Sequence, residues 1–264
     1  MKLHTLYKAE MAFTRIFILC LLITFCWYQG VLTQLSTDPE KLLNWCLDTP
    51  HHKSRPGKES SLYNQCSPWK DRSCCTENTS QDVHTKNMYN FNWNFCKPNY
   101  TLSAKCQRHF IQDLCFHECE PNIGPWVVKV NRKIANERFL NVPLCKSDCE
   151  SWWLACANDF TCVYNWPRNF AWIDGNNHCP KEAKCKPFYQ VYRDSKDFCE
   201  NVWDHSWVVV PDNELCMRIW FDGAQGNPNK HVAEVYVEKL LAGNACCITS
   251  HLFIITICLL SLLI

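Results

Sequence analysis

Sixteen of the chain's 21 cysteines lie between Cys46 and Cys216, and the other five fall in the two end segments. Both ends read as removable. What remains is an even set of thiols, which predicts eight disulfides in a single exported domain of about 210 residues.

The ends set the compartment. Lys2, Lys8 and Arg15 precede the apolar run Ile16 to Trp27, the arrangement of a secretory signal peptide and too short for a comfortable membrane span. Residues 1–33 are read as that signal, with the mature chain starting between Val31 and Ser36 and Met11 available as a second start. An uncleaved anchor is the alternative. At the other end, Ile248 to Ile264 is apolar with no Lys or Arg after it, and Ala242, Gly243, Asn244 and Ala245 precede it. That is the pattern of a glycosylphosphatidylinositol attachment signal, with Gly243 or Asn244 as the attachment site and residues 244–264 removed. The polar spacer is shorter than usual, and a single-pass tail anchor is the alternative. Residues 34–243 then form an ectodomain at the extracellular face of the plasma membrane, held to its outer leaflet.

The cysteine frame comprises Cys46, Cys66, Cys74, Cys75, Cys96, Cys106, Cys115, Cys119, Cys145, Cys149, Cys156, Cys162, Cys179, Cys185, Cys199 and Cys216. CxxC pairs are absent and the compartment is oxidising, so no metal is predicted on these thiols. Cys74 and Cys75 are neighbours and each is expected to reach a different part of the chain. A formal net charge of +1 without a Lys/Arg run argues against a nucleic-acid surface. Two sequons, at Asn78 and Asn99, fit a glycosylated exterior.

Local patterning gives an α+β fold class: a small disulfide-rich globular domain of several helices and short strands. In Pro143 to Cys156, Cys145, Cys149, Trp152 and Cys156 recur at helical spacing and line one face. In Cys106 to Cys119 the same reasoning puts Cys115 and Cys119 on one face, and His109, Asp113 and His117 four apart on another. That second face offers a carboxylate between two imidazoles. Lys41 to Cys46 and Lys230 to Leu241 read as short helices and Trp207 to Val210 as an extended piece.

Eleven of the 12 tryptophans lie in the mature region, many beside polar residues, as Trp93, Trp166, Trp172 and Trp203 do. Such indoles suit a pocket in which a flat heteroaromatic ring is stacked and its edge hydrogen-bonded; bulk in a small core is the competing use. No GxSxG, HExxH or Gly-rich phosphate loop is present, and the thiols are paired. Binding is therefore predicted rather than catalysis, without a cofactor.

The runs Arg108 to Trp126, Leu140 to Cys149, Trp152-Trp153, Tyr89 to Trp93 and Trp220 to Asn229, with the sixteen-cysteine frame, closely resemble the folate receptor family, a group that includes riboflavin-binding protein and the egg-surface receptor Juno. The resemblance covers roughly Leu42 to Leu241. It implies a fold of helices and short strands clamped by eight disulfides, with Cys162 bridged to Cys179, and an open pocket for the pterin of folate. Asp113 matches the carboxylate that bonds the pterin nitrogens, Trp203 a stacking ring, and Ser206 a hydroxyl contact. Tyr89, Trp93 and Trp166 match aromatics further along the pocket, Arg138 a pterin-contacting arginine, and Trp172 a residue near the glutamate tail.

Departures accompany the likeness. His117 stands where typical receptors have the second stacking ring, and Ile134 and Ala135 replace a tryptophan and an arginine. The loop gripping the glutamate tail reads Pro167, Arg168, Asn169, Phe170. The implied function is a cell-surface receptor that captures folate and delivers it by endocytosis through acidic endosomes. The alternatives are a Juno-like adhesion receptor for a gamete-surface protein and a binder of another flat vitamin such as riboflavin.

Overall fold

The computed structural model of the protein describes residues 36, 38–132 and 135–242, the side chains of residues 131–134 excepted. The signal peptide, both ends of the 34–243 segment, the attachment site at Gly243 or Asn244, the tail and Ile134 lie outside the described residues. Ser36 to Glu238 form one unit. Among the described residues no helix is long and apolar enough to cross a membrane.

In chain order this unit contains helices α1 (Pro39–Leu42), α2 (Glu77–Thr85), α3 (Ala104–Cys119), α4 (Lys146–Cys156), α5 (Trp166–Asn169), α6 (Phe188–Val191) and α7 (Ser195–Asn201). Residues 229–238 are also helical. The strands are short and paired in twos: β1 (Val127–Arg132) with β2 (Ala135–Phe139), β3 (Val142–Cys145) with β8 (Trp207–Val210), β4 (Phe160–Thr161) with β7 (Lys186–Pro187), and β5 (Ala171–Ile173) with β6 (Asn176–His178). Of these four pairs, β3 with β8 is parallel and the others are antiparallel. Among the described residues every sheet is two-stranded and too small to carry a core, so the disulfides and the aromatic side chains hold the unit together.

All sixteen cysteines are paired: Cys46–Cys74, Cys66–Cys115, Cys75–Cys119, Cys96–Cys185, Cys106–Cys156, Cys145–Cys216, Cys149–Cys199 and Cys162–Cys179. Three of these bonds fall on α3 alone. Its start is fixed by the Ser103 hydroxyl, which accepts from the Cys106 amide at 3.3 Å. Cys106, Cys115 and Cys119 tie α3 to α4, to the Cys66 segment and to Cys75, so three covalent bonds hold it in place. Behind it Phe110, Phe116, Trp152, Trp166, Phe198 and Trp207 are buried to 1% exposure or less.

Two helix boundaries differ from the sequence reading. α4 begins at Lys146 because Val142 to Cys145 is taken up by β8, in the register Val142↔Trp207 to Cys145↔Val210. Pro143 therefore lies in a buried strand, where its carbonyl accepts from the Met217 amide at 2.6 Å. Near the start of the unit the helix is Pro39 to Leu42 rather than Lys41 to Cys46. Asp38 caps it by accepting from the Glu40 amide at 3.0 Å, and Trp45 leaves it to bridge Asn122.

Candidate functional site

A cavity of about 790 Å³ opens beside α3. Asp113 and His117 reach it from consecutive turns of α3, the spacing that puts i and i+4 on one face. Tyr89, Trp93, Arg138, Trp172, Trp203 and Ser206 line it as well. His109, four residues before Asp113, is not in that lining. Its ring packs edge-on to Trp220 at 5.5 Å, so one imidazole rather than two accompanies the carboxylate.

Asp113 is 6% exposed, and its Oδ1 accepts from the Trp207 indole at 3.0 Å. Burial is the largest influence on its acidity and pushes its pKa from 3.8 up to about 7, against the Trp207 bond and the nearby His117 and Trp203. The Trp203 Nε1 is buried with no partner in hydrogen-bonding geometry. A carboxylate so placed, with little else to satisfy it, is suited to accept N–H donors from a bound ring.

His117 Nδ1 lies 3.0 Å from Glu118 Oε1. Burial lowers the His117 pKa, but the Glu118 bond and charge and the Asp113 charge outweigh it, and the net direction is upward. Glu118 is fully buried and also accepts from the Tyr89 hydroxyl at 2.7 Å. Burial opposes its charge, yet His52, His117 and Tyr89 together hold its pKa down to about 2. Tyr89 adopts a left-handed backbone (φ 56°), uncommon for a bulky residue, and its hydroxyl is held protonated well above the usual tyrosine range by burial and by Glu118.

Trp203 and Ser206 flank a second strained pair, Asp204 and His205, at φ 55° and 59°. This bend turns the Asp204 carboxylate inward, to 3% exposure, where Arg138 Nη1 donates to it at 2.7 Å, Asn165 Nδ2 at 3.0 Å, and Arg168 Nε also donates. Burial opposes the charge, but those three donors keep the Asp204 pKa down near 2. Ser206 Oγ donates to the Trp203 carbonyl at 2.9 Å and receives Arg138 Nη2 at 3.4 Å. Arg138 thus reaches the cavity already paired. Asp204→Ala removes that carboxylate from a mostly buried arginine and is expected to destabilise the protein by about 3–5 kcal/mol in urea denaturation; Asp204→Asn, which keeps a carbonyl acceptor, is expected to lose less.

Three of the predicted site residues lie outside the lining. Trp166 is fully buried, stacked on Phe110 at 4.7 Å and Phe91 at 5.5 Å, and backs Trp203 edge-on at 5.1 Å. Phe170 packs on Phe95 and Phe91. The Arg168 side chain is directed to Asp204, with Pro167 between it and Trp166 forming the local lining. Trp172 is 44% exposed at the rim, on the hairpin β5–β6, whose Asp174-Gly175 turn has φ of 50° and 79°. Cys162–Cys179 closes that hairpin's base, and Asn177 docks it on the Asn92 amide at 2.5 Å. The predicted glycosylation residues Asn78 and Asn99 are both exposed.

Sequence reasoning missed Trp207 as the donor that holds Asp113, Glu118 beneath His117, and Asp204 as the partner of Arg138. The last two are adjacent in the chain to residues it selected. A buried acid directly beside a chosen ring was the available signal. Trp207 is 94 residues from Asp113 and nothing local connects them.

Comparison with known proteins places these features. The family model described as the folate receptor family matches residues 45–218. Human folate receptor gamma is 46% identical over 207 residues, covering 76% of this chain and 83% of that protein. Human folate receptor alpha is 42% identical, covering 79% and 82%. Chicken riboflavin-binding protein is 30% identical, covering 66% and 71%.

Proposed function

The chain belongs to the folate receptor family, and on that premise we propose that it is an extracellular folate-binding receptor, anchored to the outer leaflet through a glycosylphosphatidylinositol group at Gly243 or Asn244. The observation that carries the reading is Asp113: a desolvated carboxylate on the surface of an aromatic cavity, positioned by Trp207 and flanked by Trp203, Trp93, Tyr89 and His117. A pterin presents an amino group and ring N–H donors on one edge and a flat face on either side. The carboxylate accepts the donors, the rings take the faces, and the cavity's width leaves room for the remainder of the molecule.

The departures shape the affinity rather than the ligand class. His117 offers a smaller ring than the family's second stack, Ala135 brings no cation to the lining, and Arg138 is shared with Asp204. Each lost stack or charged hydrogen bond weakens binding by about 1–3 kcal/mol. The protein then captures folate outside the cell, travels with its lipid anchor into endosomes, and releases the vitamin as the compartment acidifies. A gamete-surface adhesion role is less well supported, because Asp113 borders open space instead of being sealed by its neighbours.

The test is a titration of the lipid-free ectodomain with folic acid at pH 7.4, followed by tryptophan fluorescence, with riboflavin as the comparison. Saturable quenching by folic acid that is lost in Asp113→Ala is the expected result. Quenching by riboflavin alone would reassign the ligand. No quenching by either would move the function to surface adhesion.

A further inference from the structure

We infer that His52, His117 and Glu118 form a binding site for one divalent zinc ion in the wall of the cavity. Each residue offers one ligand atom, and the three atoms lie within 4.8 Å of one another. His52 Nε2 is 3.2 Å from Glu118 Oε2, and His117 Nδ1 is 3.0 Å from Glu118 Oε1. Those separations, one to each carboxylate oxygen, approach the spacing of neighbouring ligand atoms around an ion with bonds of about 2.0–2.2 Å. Two imidazoles and a carboxylate are a donor set that zinc accepts with its fourth position open.

Two observations point to an ion rather than to packing alone. Glu118 is 0% exposed, yet its Oε2 is buried with no hydrogen bond in acceptable geometry. The His52 ring nitrogen is 3.2 Å away but outside hydrogen-bonding geometry, and a buried carboxylate oxygen held in that way is better satisfied by a cation bound between the two. The second is the orientation of His52, whose side chain is 1% exposed. Its Nδ1 is 3.0 Å from the Leu47 carbonyl and 2.8 Å from the Thr49 hydroxyl, as the outer partner of a metal-binding imidazole is placed. In the metal-free protein His52 Nε2 lies 3.1 Å from the His117 carbonyl and 3.2 Å from Glu118 Oε2; with the Nδ1 hydrogen held by Leu47, loss of the Nε2 hydrogen would free a lone pair for the ion. The Tyr89 hydroxyl, donating to Glu118 Oε1, fixes the carboxylate from the other side.

His117 is 27% exposed and lines the cavity, whereas His52 and Glu118 are sealed, so the open coordination position falls on the cavity side. The ion displaces the hydrogen that His117 Nδ1 shares with Glu118, so uptake releases a proton. A flat ligand with adjacent oxo and ring-nitrogen donors, as a pterin has, would complete the coordination. That last step rests on the folate-binding reading; the metal site itself does not.

The experiment is calorimetric titration of the chelator-stripped, lipid-free ectodomain with zinc chloride, repeated with cobalt(II) for its visible spectrum. Expected are one ion per chain, proton release, tetrahedral cobalt bands, and an affinity loss of about a hundredfold or more in His117→Tyr and in His52→Gln. Because His117 borders the cavity, His117→Tyr is the variant best placed to keep the fold, as circular dichroism would verify. Stoichiometric binding unchanged in His117→Tyr, or no binding by the wild-type chain, would overturn the site. Folic acid titrations with and without zinc read the coupling separately, so a chain that binds zinc but not folate sinks only the ligand reading.

Discussion

Folic acid affinity is expected to fall by about fiftyfold between pH 7 and pH 5, and Asp113→Asn is expected to abolish that dependence along with most of the binding. Desolvation places the Asp113 pKa at about 7 in the ligand-free protein. Only the ionised carboxylate accepts two N–H donors, so below pH 7 a proton must leave first and affinity drops up to tenfold per pH unit. His117 is the charged group facing it, and its positive charge works in the opposite direction by favouring the carboxylate. Asparagine has one acceptor oxygen and no charge, and its loss of a charge-assisted bond corresponds to roughly 1.5–3 kcal/mol. A pH-independent dissociation constant in the wild-type protein would rule out Asp113 as the titrating anchor.

The same substitution is expected to stabilise the empty protein. A carboxyl whose folded pKa lies above its unfolded value of 3.8 contributes its full stability below pH 3.8 and loses it as the pH rises through about 7. At neutral pH the cost approaches about 4 kcal/mol, which Asp113→Asn removes while keeping an acceptor for Trp207. Thermal melting should therefore show a higher Tm for the variant at pH 7.4 and little difference at pH 4. An equal shift at both values would mean that the effect is packing and not charge.

The second large effect concerns α3. Replacing Cys66 and Cys115 together by serine opens a loop with a sequence separation of 49, for which chain entropy gives about 4 kcal/mol. For a domain of this size that is a fall in Tm of roughly 8–16 °C. Cys115 is two residues from Asp113 on the same helix, so folic acid binding should weaken in the fraction that still folds. Opening Cys162–Cys179, with a separation of 17, removes about 3 kcal/mol and frees the hairpin that carries Trp172. Its signature is faster ligand dissociation with Asp113 undisturbed. A Tm within about 2 °C of wild type for the Cys66/Cys115 variant would show that the aromatic core, not the disulfides, sets the stability of α3.

The elements read from sequence were those in which a local pattern sufficed. Cys106, Cys115 and Cys119 have helical spacing, and the helix is there; the run at Trp207 is extended, and it is a strand. Pro143 misled because the preference of proline for a helix's first turn is local, whereas the parallel pairing of Val142 to Cys145 depends on residues more than 60 positions away. His109 misled because residues four apart share a face only approximately. Trp220 drew its ring to one side while Asp113 and His117 turned to the other.

By itself, the sequence determined the sixteen-cysteine frame and the α+β class, since these follow from residue identity and short-range periodicity. Apart from Cys162–Cys179, which the family resemblance implied, tertiary structure decided which thiol meets which, that Trp207 holds Asp113, that Asp204 engages Arg138 and Arg168, and that Trp166 and Phe170 support the cavity instead of lining it. The reason is physical: burial, and with it acidity and hydrogen-bond partnership, belongs to the environment formed when distant segments pack, and no residue carries that environment in its own name.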